Sequence, residues 1–271
     1  MPTGREVATS DPAAGPAAED PAEELAKRLL EAIRARTPIA PLTADHPELT
    51  LEDAYRIQDR IVRALGGREA AKLGLTSAAK QRQMHVDAPL WGWLAPGSRL
   101  LPGEPLAVSE LIHPRVEPEI AFVLGRDLAG PATIAHVLAA TERVVPALDV
   151  LDSRFHGYRF TLADVVADDA SAARYALGGP GAAVEGLDLR LVGCRFVRNG
   201  KTVATAAGAA VLGHPAAAVA WLATELARRG ERLRAGTTVL AGALTEAVAV
   251  DPGDRVAAVF DRLGTVELIC A

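Results

Sequence analysis

Leu25, Leu29 and Ile33 fall on one face of a helix. Ahead of them, Asp20-Pro21 supplies an N-cap and a proline at the first helical position. Pro38 ends this helix, and the polar connector TADHPELT follows. Thr50 and Asp53 are spaced as a capping box, with aspartate in place of glutamate. Leu51, Ala54, Ile57, Ile61 and Leu65 then make an amphipathic stripe, closed by Gly66-Gly67. Residues 21–69 therefore read as a helical N-terminal region.

The pattern changes at Ala70. AAKLGLTS (70–77) reads as a strand leading into a turn and RVEPEIAFVLG (115–125) as a strand, and Pro118 suggests a sheet edge or an irregular pairing for the second. TIAHVLAATERV (133–144) has helical periodicity, and VPALDVLD (145–152) is again strand-like. CRFVRNGKTVAT is a hairpin with a type I′ turn at Asn199-Gly200. HPAAAVAWLATELARRG is a helix with Pro215 near its start and Gly230 at its end. TTVLAGAL, DRVAAVF and TVELIC close the chain as strands. Strands outnumber helices and do not alternate with them, which predicts an α+β fold with a mixed or antiparallel sheet over residues 70–271.

Composition narrows the function. The chain has 271 residues, 49% of them hydrophobic, enough for one large domain or one domain plus a small one. A net charge of −5, spread along the chain, offers no basic footprint, so no nucleic-acid partner is expected. Cys194 and Cys270 match no metal or redox spacing, and the lack of a disulfide framework makes a reducing cytoplasm the expected compartment. Residues 1–20, rich in Ala, Pro, Gly and acid, read as a disordered tail without a signal-peptide core. The apolar run Ala216 to Ala223 is too short to span a bilayer, so no membrane association is expected. Phosphate-loop, dinucleotide and G-x-S-x-G patterns are absent.

Candidate chemistry begins with Glu117 and Glu119. In a strand, residues i and i+2 share a face. A solvated face is the ordinary explanation for such a pair, but Val116, Ile120, Ala121, Phe122 and Val123 make this strand apolar. Asp149 sits in a similar setting. Buried carboxylates need hydrogen bonds, partners or a cation, and three converging from two strands suit Mg²⁺ or Mn²⁺. Lys72 stands in an otherwise uncharged stretch; it either snorkels to water or serves a metal site by binding a substrate carboxylate or moving a proton. LADVVADDASA carries Asp164, Asp168 and Asp169 before Ser171 and, alone, says turn and helix cap.

Taken in order, KLGLTS, HPRVEPEIAFVLG, VVPALDVLDSRF, VVADDAS, AAVLGHP, LRAG and GDRV resemble the 2-keto-4-pentenoate hydratase / 4-oxalocrotonate decarboxylase family of the fumarylacetoacetate hydrolase-like superfamily. The resemblance runs from about Thr50 to the C-terminus. It implies a mixed β-roll with a small helical N-terminal part. It implies Mg²⁺ or Mn²⁺ on Glu117, Glu119 and Asp149, although many members have glutamate as the third ligand, and it implies Lys72 as the catalytic lysine. Asp152 matches the family's DSR element rather than the ligand.

Within the family, hydratases tend to carry an aspartate where this chain has Leu90, and LIHP, DSRF and AGAAVLGHP are more similar to the decarboxylase branch. The resemblance therefore implies decarboxylation of an unsaturated 2-oxo dicarboxylic acid such as 2-oxohex-3-enedioate through a metal-bound dienolate. Lys72 would hold charge or move a proton, and Ser171 would donate a hydrogen bond to a substrate carboxylate. The alternatives are hydration of 2-hydroxypenta-2,4-dienoate, a non-catalytic partner subunit, and C–C hydrolysis, which needs a His/Glu pair such as His46 and Glu48. Assembly as a homo-oligomer, alone or with a related family member, is also implied.

Overall fold

The computed structural model describes residues 20–77, 81–82, 86 and 88–271. Apart from Asp20, the tail expected over residues 1–20 lies outside the described residues. Helix α1 (Pro21–Ala35) starts where predicted, with the Asp20 carboxylate accepting the Ala22 N–H. Helix α2 (Leu51–Ala64) carries the predicted Thr50/Asp53 capping box. Of its apolar stripe, Ala54, Ile57 and Ile61 are fully buried, whereas Leu51 and Leu65 at the two ends are exposed. The buried residues join Leu25 and Leu29 of α1 in a core shared with Phe155, Val165 and Val166.

The chain continues through β1 (Ala70–Gly74), β2 (Leu90–Leu94), β3 (Arg99–Leu100), β4 (Arg115–Leu124), α3 (Ile134–Ala140) and β5 (Thr141–Leu151). Then come α4 (Leu162–Ala167), β6 (Ala172–Leu177), β7 (Gly193–Arg198), β8 (Lys201–Ala207) and α5 (Pro215–Arg228). Strands β9 (Thr238–Ala243), β10 (Val248–Ala249), β11 (Arg255–Phe260) and β12 (Gly264–Ile269) complete it. The larger sheet has the order β2-β1-β9-β4-β5-β6-β3, with β10 also beside β4. The β1/β9 and β3/β6 pairs are parallel and the others antiparallel, so the sheet is mixed. A second, four-stranded antiparallel sheet runs β12-β11-β7-β8. Asn199 (φ 51°) and Gly200 (φ 76°) turn the β7–β8 hairpin, both with the positive φ of a type I′ turn. Helix α5 is a core helix, with Ala218, Val219, Leu222, Ala223 and Leu226 fully buried.

One local expectation needs correction, one strand has no counterpart in the sequence pattern, and one pair of alternatives is decided. Residues 133–144 are not one helix: α3 stops at Ala140, and Thr141 to Val144 extend β5 along β4, with a bulge at Glu142. Tertiary pairing overrides the local helical pattern there. Strand β2, LWGWL, is buried along its whole length, so it lacks the alternation that marks a half-exposed strand. Pro118 lies not at an edge but inside β4, the alternative of irregular pairing being the one observed. One face of β4 changes neighbours around it, from β10 at Val116 to β9 at Glu119, and a bulge follows before Ala121. A strand needs no ladder donor at such a seam.

Gln58 joins the two parts of the core. Fully buried on α2, its amide donates to the Trp91 carbonyl of β2 (2.9 Å) and the Val166 carbonyl of α4 (3.1 Å). Gln58→Leu removes both donors while filling the volume. Because stranded buried acceptors cost about 1–3 kcal/mol, urea denaturation should show a loss of stability in that range. An unchanged midpoint would contradict this account of the seam.

Candidate active site

The antiparallel register of β4 and β5 places Glu117 directly opposite Asp149. Glu119, two residues along β4, shares the face of Glu117. All three carboxylates are buried, and one oxygen from each lies within 4.8 Å of the other two. Strand β1 reaches them because β9 stands between it and β4: Leu240 of β9 is opposite Lys72 on one side and Ala121 on the other. Lys72, 2% exposed, puts its Nζ 2.7 Å from Asp149 Oδ2 and donates to the Ala170 carbonyl at 3.0 Å.

Two glycines shape the surroundings. The Gly242 N–H donates to Glu119 Oε2 at 2.6 Å, from a backbone with φ of 110°. A Cβ at that position would overlap the Thr76 hydroxyl, so space and conformation both require glycine. Gly92 of β2 lies against the segment Asp169 to Ser171, where a Cβ would come within 2.5 Å of the Asp169 carbonyl oxygen.

Burial holds the Glu119 carboxyl well above the usual carboxylate range, and the charges of Asp149 and Glu117 push in the same direction. Lys72 and the Gly242 N–H oppose the rise without cancelling it. Glu119 Oε1 is buried and, among the described residues, has no hydrogen-bond partner. A fully buried acceptor of this kind costs free energy unless something donates to it or coordinates it. The oxygen-only donor set, its excess negative charge and this orphaned oxygen fit a hard divalent cation of the Mg²⁺, Mn²⁺ or Ca²⁺ type.

Beside the carboxylates lies a cavity of about 140 Å³. Lys72, Glu117 and Ser171 form its polar side, and Leu75, Leu90 and Val165 are among its apolar walls. Tyr158 also lines it, with its hydroxyl donated to the Leu151 carbonyl at 3.0 Å. A larger concavity of about 860 Å³, bordered by Arg99, Leu177 and Glu267, contains none of these groups and is not where the chemistry lies.

Every candidate named from the sequence has a definite place. Lys72, Glu117, Glu119, Asp149 and Ser171 come together, although the Ser171 hydroxyl is donated to Asp168 Oδ2 (3.1 Å) rather than held free toward the cavity. Asp152 accepts the Ile112 and His113 N–H groups and ties down the chain before β4. Asp164 accepts from Thr43 and Thr161 and pins the connector to α4. His46 and Glu48 line a different pocket, beside Asp20 and Asp53. The contributions that sequence reasoning missed are backbone groups and their supports: the Gly242 N–H, the Ala170 carbonyl and the Arg154–Asp168 ion pair. Only the Arg154–Asp168 pair left a trace in sequence, in the DSR and ADDAS stretches.

The fold and the carboxylate cluster together define a class. The fumarylacetoacetate (FAA) hydrolase C-terminal family matches residues 63–268, and the chain belongs to that family. Relatives that the chain resembles are named decarboxylases and hydratases, which are lyases. It is 46% identical over 230 residues to a 4-oxalocrotonate decarboxylase of Pseudomonas putida, covering 83% of this chain and 87% of the relative. It is 43% identical over 251 residues to a 2-keto-4-pentenoate hydratase of Paraburkholderia xenovorans, covering 90% and 93%. The solved 4-oxalocrotonate decarboxylase from Pseudomonas putida G7, complexed with magnesium and adipate, superposes with a TM-score of 0.87 at 40% identity, covering 92% of this chain and 97% of that one. The expected α+β roll with a helical N-terminal region is the fold observed.

The raised Glu119 carboxyl makes cation binding pH-dependent. A group whose value is raised holds its proton at pH values where a free carboxyl has lost it, and a cation must displace that proton. Affinity should fall as pH falls, and binding should release protons. Calorimetric titration of Mg²⁺ near pH 6, in two buffers of different ionisation heat, should give buffer-dependent heats. Identical heats in both buffers would contradict the reading of Glu119.

Proposed function

We propose that this chain is a cytoplasmic, divalent-metal-dependent decarboxylase acting on an unsaturated 2-oxo dicarboxylic acid of the 2-oxohex-3-enedioate type. The observation that carries the proposal is the make-up of the cavity: Glu117, Lys72 and Ser171 line it together with apolar residues including Leu90, and Glu119 and Asp149 cluster with Glu117 beside it. Glu117, Glu119 and Asp149 would hold Mg²⁺ or Mn²⁺. When bound, the ion supplies a Lewis acid for the 2-oxo oxygen of the substrate. The 2-oxo acid head then belongs at the polar end, where Lys72 offers a positive charge to the C1 carboxylate.

The distal carboxylate lies against the apolar wall. There it loses hydration, and its charge disappears as CO2 departs, so an apolar environment favours the transition state over the ground state. The C5–C6 bond breaks, and its electrons run through the C3–C4 double bond to the 2-oxo oxygen. Protonation of that oxygen gives 2-hydroxypenta-2,4-dienoate, and Lys72 is placed to hold or pass the proton. Ser171 enters as a substrate-binding group if its hydroxyl turns from Asp168 to a substrate carboxylate. No covalent intermediate is required. Assembly as a homo-oligomer, alone or with a related family member, is carried over from the family resemblance.

The second reading is hydration of 2-hydroxypenta-2,4-dienoate at the same site, supported by the 43% identity to a hydratase. Hydration needs a group to manage protons at the far end of the diene. Leu90 cannot do this. The complete set of three carboxylates and Lys72 speaks against a non-catalytic partner subunit.

Turnover separates these readings. CO2 released from 2-oxohex-3-enedioate with Mg²⁺, and lost with chelator, is the expected result. Loss of dienoate absorbance from 2-hydroxypenta-2,4-dienoate alone would replace the proposal with a hydratase. Silence on both, with metal bound, would support the partner-subunit reading. Glu119→Ala should remove metal-dependent turnover and leave the circular dichroism spectrum unchanged; full activity would remove this residue from the site. Leu90→Asp sets a like charge near the departing carboxylate. A penalty of about 1.4 kcal/mol corresponds to about a tenfold loss of CO2 release, and unchanged release would contradict the role of the apolar wall.

A further inference from the structure

Asp169, Ala170 and Ser171 have φ values of 50°, 53° and 56°. Three consecutive residues with side chains in the left-handed region form one left-handed turn, a conformation that costs free energy at each residue. Such a turn persists only where its surroundings over-determine it.

Arg154 supplies much of that constraint. It is 2% exposed, and its guanidinium donates to carbonyls on both flanks of the turn, Asp168 before it and Ala172 after it (3.0 Å). It also donates to the Asp152 carbonyl (2.8 Å) and pairs with the Asp168 carboxylate. Asp168 in turn accepts the Arg154 backbone N–H (3.3 Å) and the Ser171 hydroxyl (3.1 Å). From the opposite side, the Trp93 N–H donates to Asp169 Oδ1 (2.8 Å), and Gly92 leaves the space that the turn occupies. The turn presents two groups to the site: the Ala170 carbonyl, which receives Lys72 Nζ, and Ser171, which lines the cavity.

We propose that Arg154 is a positioning residue for the reaction: by clamping both flanks of the left-handed turn it aims the Ala170 carbonyl at Lys72, and so fixes the lysine beside Asp149. Arg154 is not among the residues lining the cavity, and it acts through the turn. The part that Lys72 plays in turnover rests on the function proposed above; the clamp itself rests on geometry. Lysine cannot replace the arginine, because one ammonium cannot reach three carbonyls and a carboxylate from a single planar fork.

The test uses the full chain loaded with Mg²⁺ and the variants Arg154→Lys and Asp168→Asn. Four quantities are read: kcat and KM on 2-oxohex-3-enedioate, Mg²⁺ affinity by calorimetry, and the acetylation rate of Lys72 relative to exposed Lys201 by mass spectrometry. A misplacement of about 1 Å costs about 100-fold in rate, so kcat should fall by that order in Arg154→Lys. Mg²⁺ affinity should stay unchanged, and Lys72 should acetylate faster once its carbonyl partner is no longer held. Wild-type kcat in Arg154→Lys would overturn the proposal, as would metal affinity falling in step with kcat, which marks general loss of structure. Should Arg154→Lys not fold, Asp168→Asn decides: wild-type kcat and wild-type labelling would overturn the clamp. If the unaltered enzyme is silent on the diacid, the functional proposal fails, while the labelling comparison still decides the positioning of Lys72.

Discussion

Three buried carboxylates are forced together beside a small cavity. Glu117 and Asp149 are direct partners across β4 and β5, and Glu119 shares their face, so the sheet register brings the charges together. The surrounding core cannot relieve them by solvation. One lysine, one backbone N–H and a raised Glu119 carboxyl offset part of the repulsion. Three oxygen donors brought this close suit a divalent cation. Around the cluster, Lys72 is buried against Asp149, position 242 requires glycine, and among the described residues one oxygen of Glu119 has no donor.

The supports around the cluster lie far apart in the chain. The β4–β5 pair supplies the carboxylates, β1 the lysine, β9 the Gly242 N–H, and the turn after α4 the carbonyl that orients the lysine. Helix α1 packs on α2 and α2 on α4, and Gln58 links α2 to both α4 and β2. The N-terminal helices thereby brace the element that precedes the turn. Polar contacts at the ends of the turn and apolar packing behind it hold the site, while the cavity side remains free for substrate.

Much of this was legible from residue pattern because it rests on local rules. The caps at Asp20 and Thr50, the Asn199-Gly200 turn and the proline start of α5 are short-range chemistry. The Glu117/Glu119 spacing showed a shared face because strand periodicity is strict, and the apolar flanks showed its burial. What was not legible depends on long-range partners. The left-handed φ values at Asp169 to Ser171 have no signature in an Asp-Asp-Ala-Ser string, since no glycine marks them; Arg154, 14 residues before Asp168, holds them. The extension of β5 back to Thr141 and the place of Pro118 inside β4 were likewise decided by neighbouring strands. Backbone donors such as Gly242 carry no side-chain signal at all.

The central claim is that the cluster on β4 and β5 is a cation site, and diffraction from crystals grown with Mn²⁺ tests it most directly. The account predicts an anomalous peak bonded at about 2.1 Å, the distance usual for oxygen ligands to a small divalent ion, to one oxygen each of Glu117, Glu119 and Asp149. Lys72 should remain hydrogen-bonded to the Ala170 carbonyl. No peak among these three carboxylates at saturating Mn²⁺, with the Lys72–Asp149 pair intact, would contradict it.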